Sequence, residues 1–330
     1  MRKATIISSG MYVPQKIITN AQFDEWLGED VSTWLEETAR IYERRWTGEE
    51  ESSADLALGA SLKTLAAGGI SPDQLDLLIV ATDPPEYISP STASVLQHRL
   101  GANRAGSFDL NAACAGFVTG LDIAATYLQG RQDYEYILVL GVYAMSKYLN
   151  KQDKKTVTLF ADGAAAMLLK GERGKEEEGF QSSLLYTQGQ YHDGMGIYAG
   201  GTHKPLDAEV LENKDHLLKF VYRFPKTLNR DEWSKIAREL AARSGVSLED
   251  FDHFFFTQIN YNTIIQTMEN LNLPPEKAHT IMHQYGYTGS ACIPMAFAQA
   301  VEEGKVKRGE RLMFIGSGGG LAFAGASCVY

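Results

Sequence analysis

Cys114 has the surroundings of a reactive thiol. In the run FDLNAACAGF small residues flank it on both sides, and an apolar helical segment follows as far as Gly130. A tight turn from a strand into a helix leaves free backbone N–H groups near the sulfur, and these favour an anion. The expected result is a thiol more acidic than free cysteine, able to attack a carbonyl carbon. The same residues also suit a small cysteine buried in a close-packed helix, although Ala and Gly keep space open above the sulfur. Near the other end, GSGGGLAFAG places Gly319 in a run flexible enough to aim a backbone N–H at a developing oxyanion. That run equally fits a tight turn, and it lacks the GKS or GKT ending of a phosphate-binding loop. Cys292 and Cys328 are too widely spaced for a CxxC metal site, and three cysteines make no disulfide framework. No metal site is expected.

These residues need a scaffold that holds strand ends together. Short β-branched and aromatic runs, LDLLIVAT from Leu75, SFDL before Asn111, YEYILVLGV from Tyr134 and TVTLF to Phe160, alternate with helical patterns. The alternation predicts an α/β fold, with strands covered by helices on both faces. The second half repeats the order: FDHFFFTQIN matches LDLLIVATD, AHTIMHQYGYTGSACIPMAFAQA matches SFDLNAACAGFVTGLDIAA, and ERLMFIGSGGG matches YEYILVLGV. A tandem duplication with halves 1–172 and 173–330 is expected. Packing the halves together would bring the loops near Cys114, Thr257, Tyr287 and Gly319 into one region. GERGKEEEG from Gly171 reads as an exposed connector. Gln188 to Lys219 reads as a long loop or cap over a pocket, and DEWSKIARELAARSG as a helix closed by Gly245.

The 330 residues are 44% hydrophobic and 22% charged, an ordinary globular composition able to bury a large core. A formal net charge of −10 argues against nucleic-acid binding, which needs a basic footprint. No apolar run has the length of a membrane span, and MRKATIISSGMYVP reads as a first strand without a cleavage-site pattern. A cytoplasmic protein that binds neither membrane nor nucleic acid is expected.

Several motifs together resemble the 3-oxoacyl-[acyl-carrier-protein] synthase III family of thiolase-like condensing enzymes: GMYVPQKIITN, DQLDLLIVATD, PSTASVLQHRLGA, FDLNAACAGF, TLFADGAAAMLL, YGYTGSACIPMAFAQAVEEGKVKRGE and the GSGGG end. The resemblance spans nearly the whole chain. It implies a five-layered αβαβα fold, a homodimer, and an acyl chain loaded onto Cys114 from acyl-CoA, with an acyl carrier protein as the alternative donor and no permanently bound cofactor. It also implies that Trp34 stacks on the adenine of coenzyme A.

The departures from the family pattern bear on the second half of the reaction. The family's Cys-His-Asn triad places its histidine in HQAN and its asparagine in a GNTSAA-like motif. Here these read TQIN and GYTGSA, so Thr257 and Tyr287 occupy the two positions while Gln258 and Asn260 keep theirs and are expected, by the resemblance, to contact the cofactor. Both hydroxyls can donate hydrogen bonds to a thioester carbonyl, but neither titrates near neutrality as histidine does. His192, His203, His253 and His283 are the candidate replacements for that base. At the coenzyme A end, WIxxRTG has become WLEETAR, with Thr38 in place of arginine and Arg40 as a stand-in, and Lys154 takes a second basic position. Asn262 replaces an arginine that docks the carrier protein. Ser89 stands where the family often has a large residue closing the partner's acyl pocket. The expected function is acyl transfer through acyl-Cys114, followed by condensation or non-decarboxylative transfer to a second substrate. A non-catalytic scaffold subunit paired with an active homologue is the alternative.

Overall fold

A computed structural model of the chain describes residues 2–175 and 177–330. Met1, at the head of the expected first strand, and Glu176, inside the expected connector, lie outside the described residues. One sheet contains β1 (Arg2–Tyr12), β2 (Leu77–Ala81), β3 (Gly106–Leu110), β4 (Tyr136–Ala144) and β5 (Asp162–Arg173), in spatial order β1-β5-β4-β2-β3. The other contains β6 (Gly179–Thr187), β7 (His253–Phe256), β8 (Arg311–Gly318) and β9 (Ala322–Val329), in order β6-β9-β8-β7. In each sheet the first two pairings are antiparallel and the next parallel. A parallel bridge from Phe254 to Ala278 lies where β3 lies in the first sheet.

Helices α1 (Ser53–Gly68) and α2 (Thr92–Leu100) cover the outer face of the first sheet. On the second sheet the outer layer is α4 (Leu228–Ser244), with α5 (Tyr261–Asn270) beside it. Between the sheets run α3 (Gly116–Gly130) and α6 (Cys292–Glu302), giving the αβαβα order of layers. The side-chain alternation of β2 explains its unbroken apolar sequence. Leu77, Ile79 and Ala81 join the central core, while Leu78 and Val80 join a separate core beneath α1 and α2.

Both central helices begin in the same way. Ala113 has φ 45°, opens a 3₁₀ turn over Ala113–Ala115, and α3 follows. Gly289 has φ 45° as well, opens a 3₁₀ turn over Gly289–Ala291, and α6 follows. Glycine suits Gly289 for a second reason, since a Cβ there would lie 2.2 Å from the Tyr143 ring. At Ala113 the left-handed conformation stores strain on the order of 1–3 kcal/mol. This strain sits one residue before the thiol.

Candidate active site

A cavity of about 580 Å³ opens at the surface and reaches Cys114 at its inner end, where Thr257, Tyr287, Gly318 and Gly319 also line it. The strand ends of both sheets meet there. Gly318, at the end of β8, packs against the Cys114 turn. A Cβ on Gly318 would lie 2.5 Å from Cys114 N and 2.8 Å from Ala112 O, so only glycine lets the strand pass. Gly319 follows and faces the cavity. The amide of Cys114 and the Gly319 backbone therefore border one small space.

The acidity expected of Cys114 is corrected by the structure. The residue is 2% exposed, and burial first, then the charge of Asp83, push its thiol well above the ordinary range. The Tyr287 hydroxyl opposes this by hydrogen bonding to the sulfur, but without prevailing. Desolvation of a sulfur held in a 3₁₀ turn, before α3 has begun, outweighs the favourable helix end. The resting residue is a thiol. Acylation must therefore include removal of a proton.

Tyr287 is 1% exposed and held by its backbone in a short bridge to Phe160. Its N–H donates to Leu159 O at 2.9 Å, and its carbonyl accepts from Ala161 N at 2.9 Å. Its phenol thus has a fixed approach to the sulfur. Removing it in Tyr287→Phe takes away a hydrogen bond that favours the thiolate, so the Cys114 pKa rises further. The pH profile of alkylation by iodoacetamide is expected to move to higher pH, with the rate at pH 8 about tenfold lower. An unchanged profile would separate Tyr287 from the nucleophile.

Thr257 lines the same cavity, but its hydroxyl is occupied. It donates to Ser317 O at 3.3 Å and accepts from Ser317 N at 2.9 Å. The Thr257 hydroxyl ties β7 to β8 instead of pointing a donor at a substrate. Among the described residues no histidine lines the cavity. His253 contacts Glu310 and His279, each at 2.9 Å, and His283 lines a separate cavity of about 100 Å³. His192 and His203 are exposed. None of the four candidates reaches the sulfur.

The expected cofactor contacts divide. Trp34, 51% exposed, lines the cavity together with Thr38 and Asn260. Its segment is fixed from below by the Asp24 carboxylate, which accepts from Val31 N at 2.7 Å and Ser32 N at 3.0 Å. Asn260 also caps α5, accepting from Thr263 N at 3.3 Å. Asn262 donates to Thr38 O at 3.2 Å and so links α5 to the Trp34 segment. Arg40 is exposed and does not line the cavity, and neither does Lys154, which pairs with Glu29 at 2.8 Å. The lysine that lines it is the next one, Lys155.

Gln258 as a cofactor contact is corrected outright. It is fully buried, its Nε2 donates to Phe256 O and His279 O, and its Oε1 accepts from Ile281 N, all at 3.0 Å. The amide holds the end of β7 to the segment leading to Tyr287. Gln258→Leu removes a partner from three backbone groups and is expected to lower stability by about 2–4 kcal/mol, read from urea unfolding. A Gln258→Leu protein of unchanged stability would contradict this role.

The cap also lies elsewhere than expected. Of residues 188–219 only Met195 lines the cavity, and the mouth is formed by Phe220–Pro225 with Lys226, Leu228 and Asn229. Met195–Gly196 pairs with Lys219–Phe220, which carries this segment over the opening. Sequence reasoning missed its cations, Arg223 and Lys226, exposed at the mouth with Lys155. The signal available was the alternation of aromatic and basic residues in FVYRFPK. It also missed Asp83, whose charge reaches both Cys114 and Tyr143.

Comparisons with known proteins give the family and the fold. Residues 108–189 match the family model described as 3-oxoacyl-[acyl-carrier-protein (ACP)] synthase III, and residues 241–330 match its C-terminal counterpart. The chain is 34% identical to a beta-ketoacyl-[acyl-carrier-protein] synthase III of Natranaerobius thermophilus, covering 100% of this chain and 99% of that one. It is also 34% identical to the acetoacetyl CoA synthase NphT7 of a Streptomyces species, over 96% of this chain and 95% of that one. The crystal structure of the Aquifex aeolicus 3-oxoacyl-[acyl-carrier-protein] synthase III superposes with a TM-score of 0.88 at 29% identity, over 99% of this chain and 100% of that one. A chain with this fold, with a buried cysteine at the end of an open cavity and with this likeness along its whole length, belongs to the 3-oxoacyl-[acyl-carrier-protein] synthase III family of thiolase-like acyltransferases.

Proposed function

We propose that the protein loads an acyl group from acyl-CoA onto Cys114 and passes it to a second substrate. The observation that carries this reading is the cavity itself, which joins Cys114 to a surface mouth bearing Trp34, Lys155, Arg223 and Lys226. Three cations and an exposed indole suit the phosphates and base of a nucleotide thioester, and the channel between them suits its acyl end. The N–H groups of Cys114 and Gly319 stabilise the oxyanion formed when the sulfur attacks. An acyl carrier protein is the alternative donor at the same mouth. The protein acts as a homodimer in the cytoplasm, and its halves, 1–172 and 173–330, are copies of one unit; the matching strand orders and the paired turns at Ala113 and Gly289 support the last point.

The second step is condensation with a malonyl thioester or transfer without decarboxylation. Tyr287 offers the polar side chain that faces the sulfur, whereas Thr257 is spent on Ser317. The test is to incubate the protein with a panel of acyl-CoAs, record intact mass, then add malonyl-CoA or malonyl carrier protein and measure carbon dioxide. A covalent adduct is expected. Its absence with every thioester would defeat the reading and favour the scaffold alternative. Carbon dioxide released in step with loss of the adduct would establish condensation.

A further inference from the structure

A buried carboxyl oxygen without a partner stands beside the Cys114 turn. Thr82 Oγ1 and Asp83 Oδ1, just past the end of β2, are both buried with no hydrogen-bond partner among the described residues. The backbone there is tied to the nucleophile's own segment. Thr82 N–H donates to Leu110 O at 3.1 Å, and a Cβ on Gly116 would lie 3.2 Å from that of Ala81. Asp83 is two residues beyond Ala81, and Cys114 two residues before Gly116. These backbone contacts bring the two segments together, and the Asp83 charge acts on the Cys114 thiol without a direct hydrogen bond between them.

The titratable groups acting on this cluster are Cys114, Tyr143, Tyr287, Cys292 and Asp162, and none of them supplies a positive charge. An isolated carboxylate in such surroundings is costly. Burial accordingly pushes Asp83 up to about 7. A carboxyl balanced between its two forms at neutral pH is matched to accepting and returning a proton. The site needs such a group, since Cys114 rests as a thiol, and although neither Asp83 nor any histidine among the described residues lines the cavity, Asp83 is the carboxyl whose charge acts on the thiol.

We propose that Asp83 takes up the proton of Cys114 as the sulfur attacks the acyl thioester. This rests on Cys114 being the acylated residue. In the step the S–H bond breaks and its proton passes through one bridging water to the Asp83 carboxylate. The sulfur forms a bond to the carbonyl carbon, the bond from that carbon to the coenzyme A sulfur breaks, and the departing thiolate takes the proton back from Asp83 by the same water. Acylated enzyme and free coenzyme A thiol result, with no change in total charge. One proton shared between two acids also removes the repulsion that two neighbouring anions would suffer.

The test compares two reactions of the same sulfur in wild type and Asp83→Asn. Acylation by acyl-CoA is followed by rapid quench and intact mass, and alkylation by iodoacetamide at pH 8 reads thiolate content alone. With the proton acceptor gone, acylation is expected to slow by about 10²–10⁴. Alkylation should hold or quicken, because a neighbouring negative charge has been removed. In wild type, without any variant, acylation should fall as pH drops through about 7 and Asp83 becomes protonated. Acylation that is unchanged or faster in Asp83→Asn would overturn the proposal, as would both reactions slowing together, or a wild-type rate flat through that range. An adduct missing from wild type, or persisting in Cys114→Ala, would instead overturn the assignment of the nucleophile.

Discussion

Cys114→Ala is expected to abolish the covalent adduct with every acyl-CoA and to lower turnover by at least about 10³-fold. The residual rate would be what the cavity and its backbone donors provide alone. The sharper comparison is with the other two cysteines. Cys292 accepts a hydrogen bond from Gln258 N at 3.4 Å, is pushed up by burial to about 12, and does not line the cavity. Cys328 is buried on β9 and is also raised by burial. Cys292→Ala and Cys328→Ala should therefore keep the full adduct mass. Intact mass spectrometry of the three variants decides the matter. An adduct that survives in Cys114→Ala would remove the foundation of the mechanism.

Gly318→Ala is expected to be nearly as damaging, although it changes no reactive atom. The added methyl would meet Cys114 N at 2.5 Å, Ala112 O at 2.8 Å and Ala115 N at 2.9 Å. All three are backbone atoms, so no rotamer change can relieve the clash. The turn already holds Ala113 at a positive φ and has little room to adjust. The overpacking costs about 1–3 kcal/mol, which a chain of this size should survive. The displaced Cys114 amide would cost acylation about 10²–10³-fold, the scale of a lost oxyanion donor. Gly319→Ala is the control. Its methyl would meet Met195 O at 3.3 Å, a contact that a small backbone adjustment can relieve, and the expected loss is correspondingly smaller. Single-turnover acylation alongside thermal melting separates rate from stability. A folded Gly318→Ala protein with the wild-type rate would refute the close packing of strand against turn.

The layers, most of the strands and the place of Cys114 were legible because they rest on patterning, whereas TVTLF, expected as a strand, forms the end of a short helix and a turn before the bridge at Phe160. Two faces of burial write unbroken apolar strands, and a crowded strand-to-helix turn admits only small residues around its cysteine. What escaped depends on contacts between distant segments. Gln258 reads the same whether its amide meets a ligand or the backbone at His279 and Ile281, and the choice is made by a segment more than twenty residues away. Thr257 similarly looks like a free hydroxyl until Ser317 is brought beside it. Asp83 reads as an ordinary loop acid after a strand, and only its burial against the nucleophile's turn gives it meaning. The acidity of Cys114 was misjudged because a helix start is visible in sequence, whereas the extent of dehydration is not.

The roof over Cys114 is supplied by a strand translated long after the nucleophile itself. Gly316 and Gly318 close upon the turn from β8, in the second sheet. A ribosome must translate well past the nucleophile, and β8 must emerge and dock, before the sulfur acquires its enclosure. Until then Cys114 has the reactivity of any unfolded cysteine, without an aligned amide or a channel for a thioester. Chains broken off before β8 would carry the nucleophile without its enclosure. Enclosure of the sulfur thus reports that synthesis has run as far as β8.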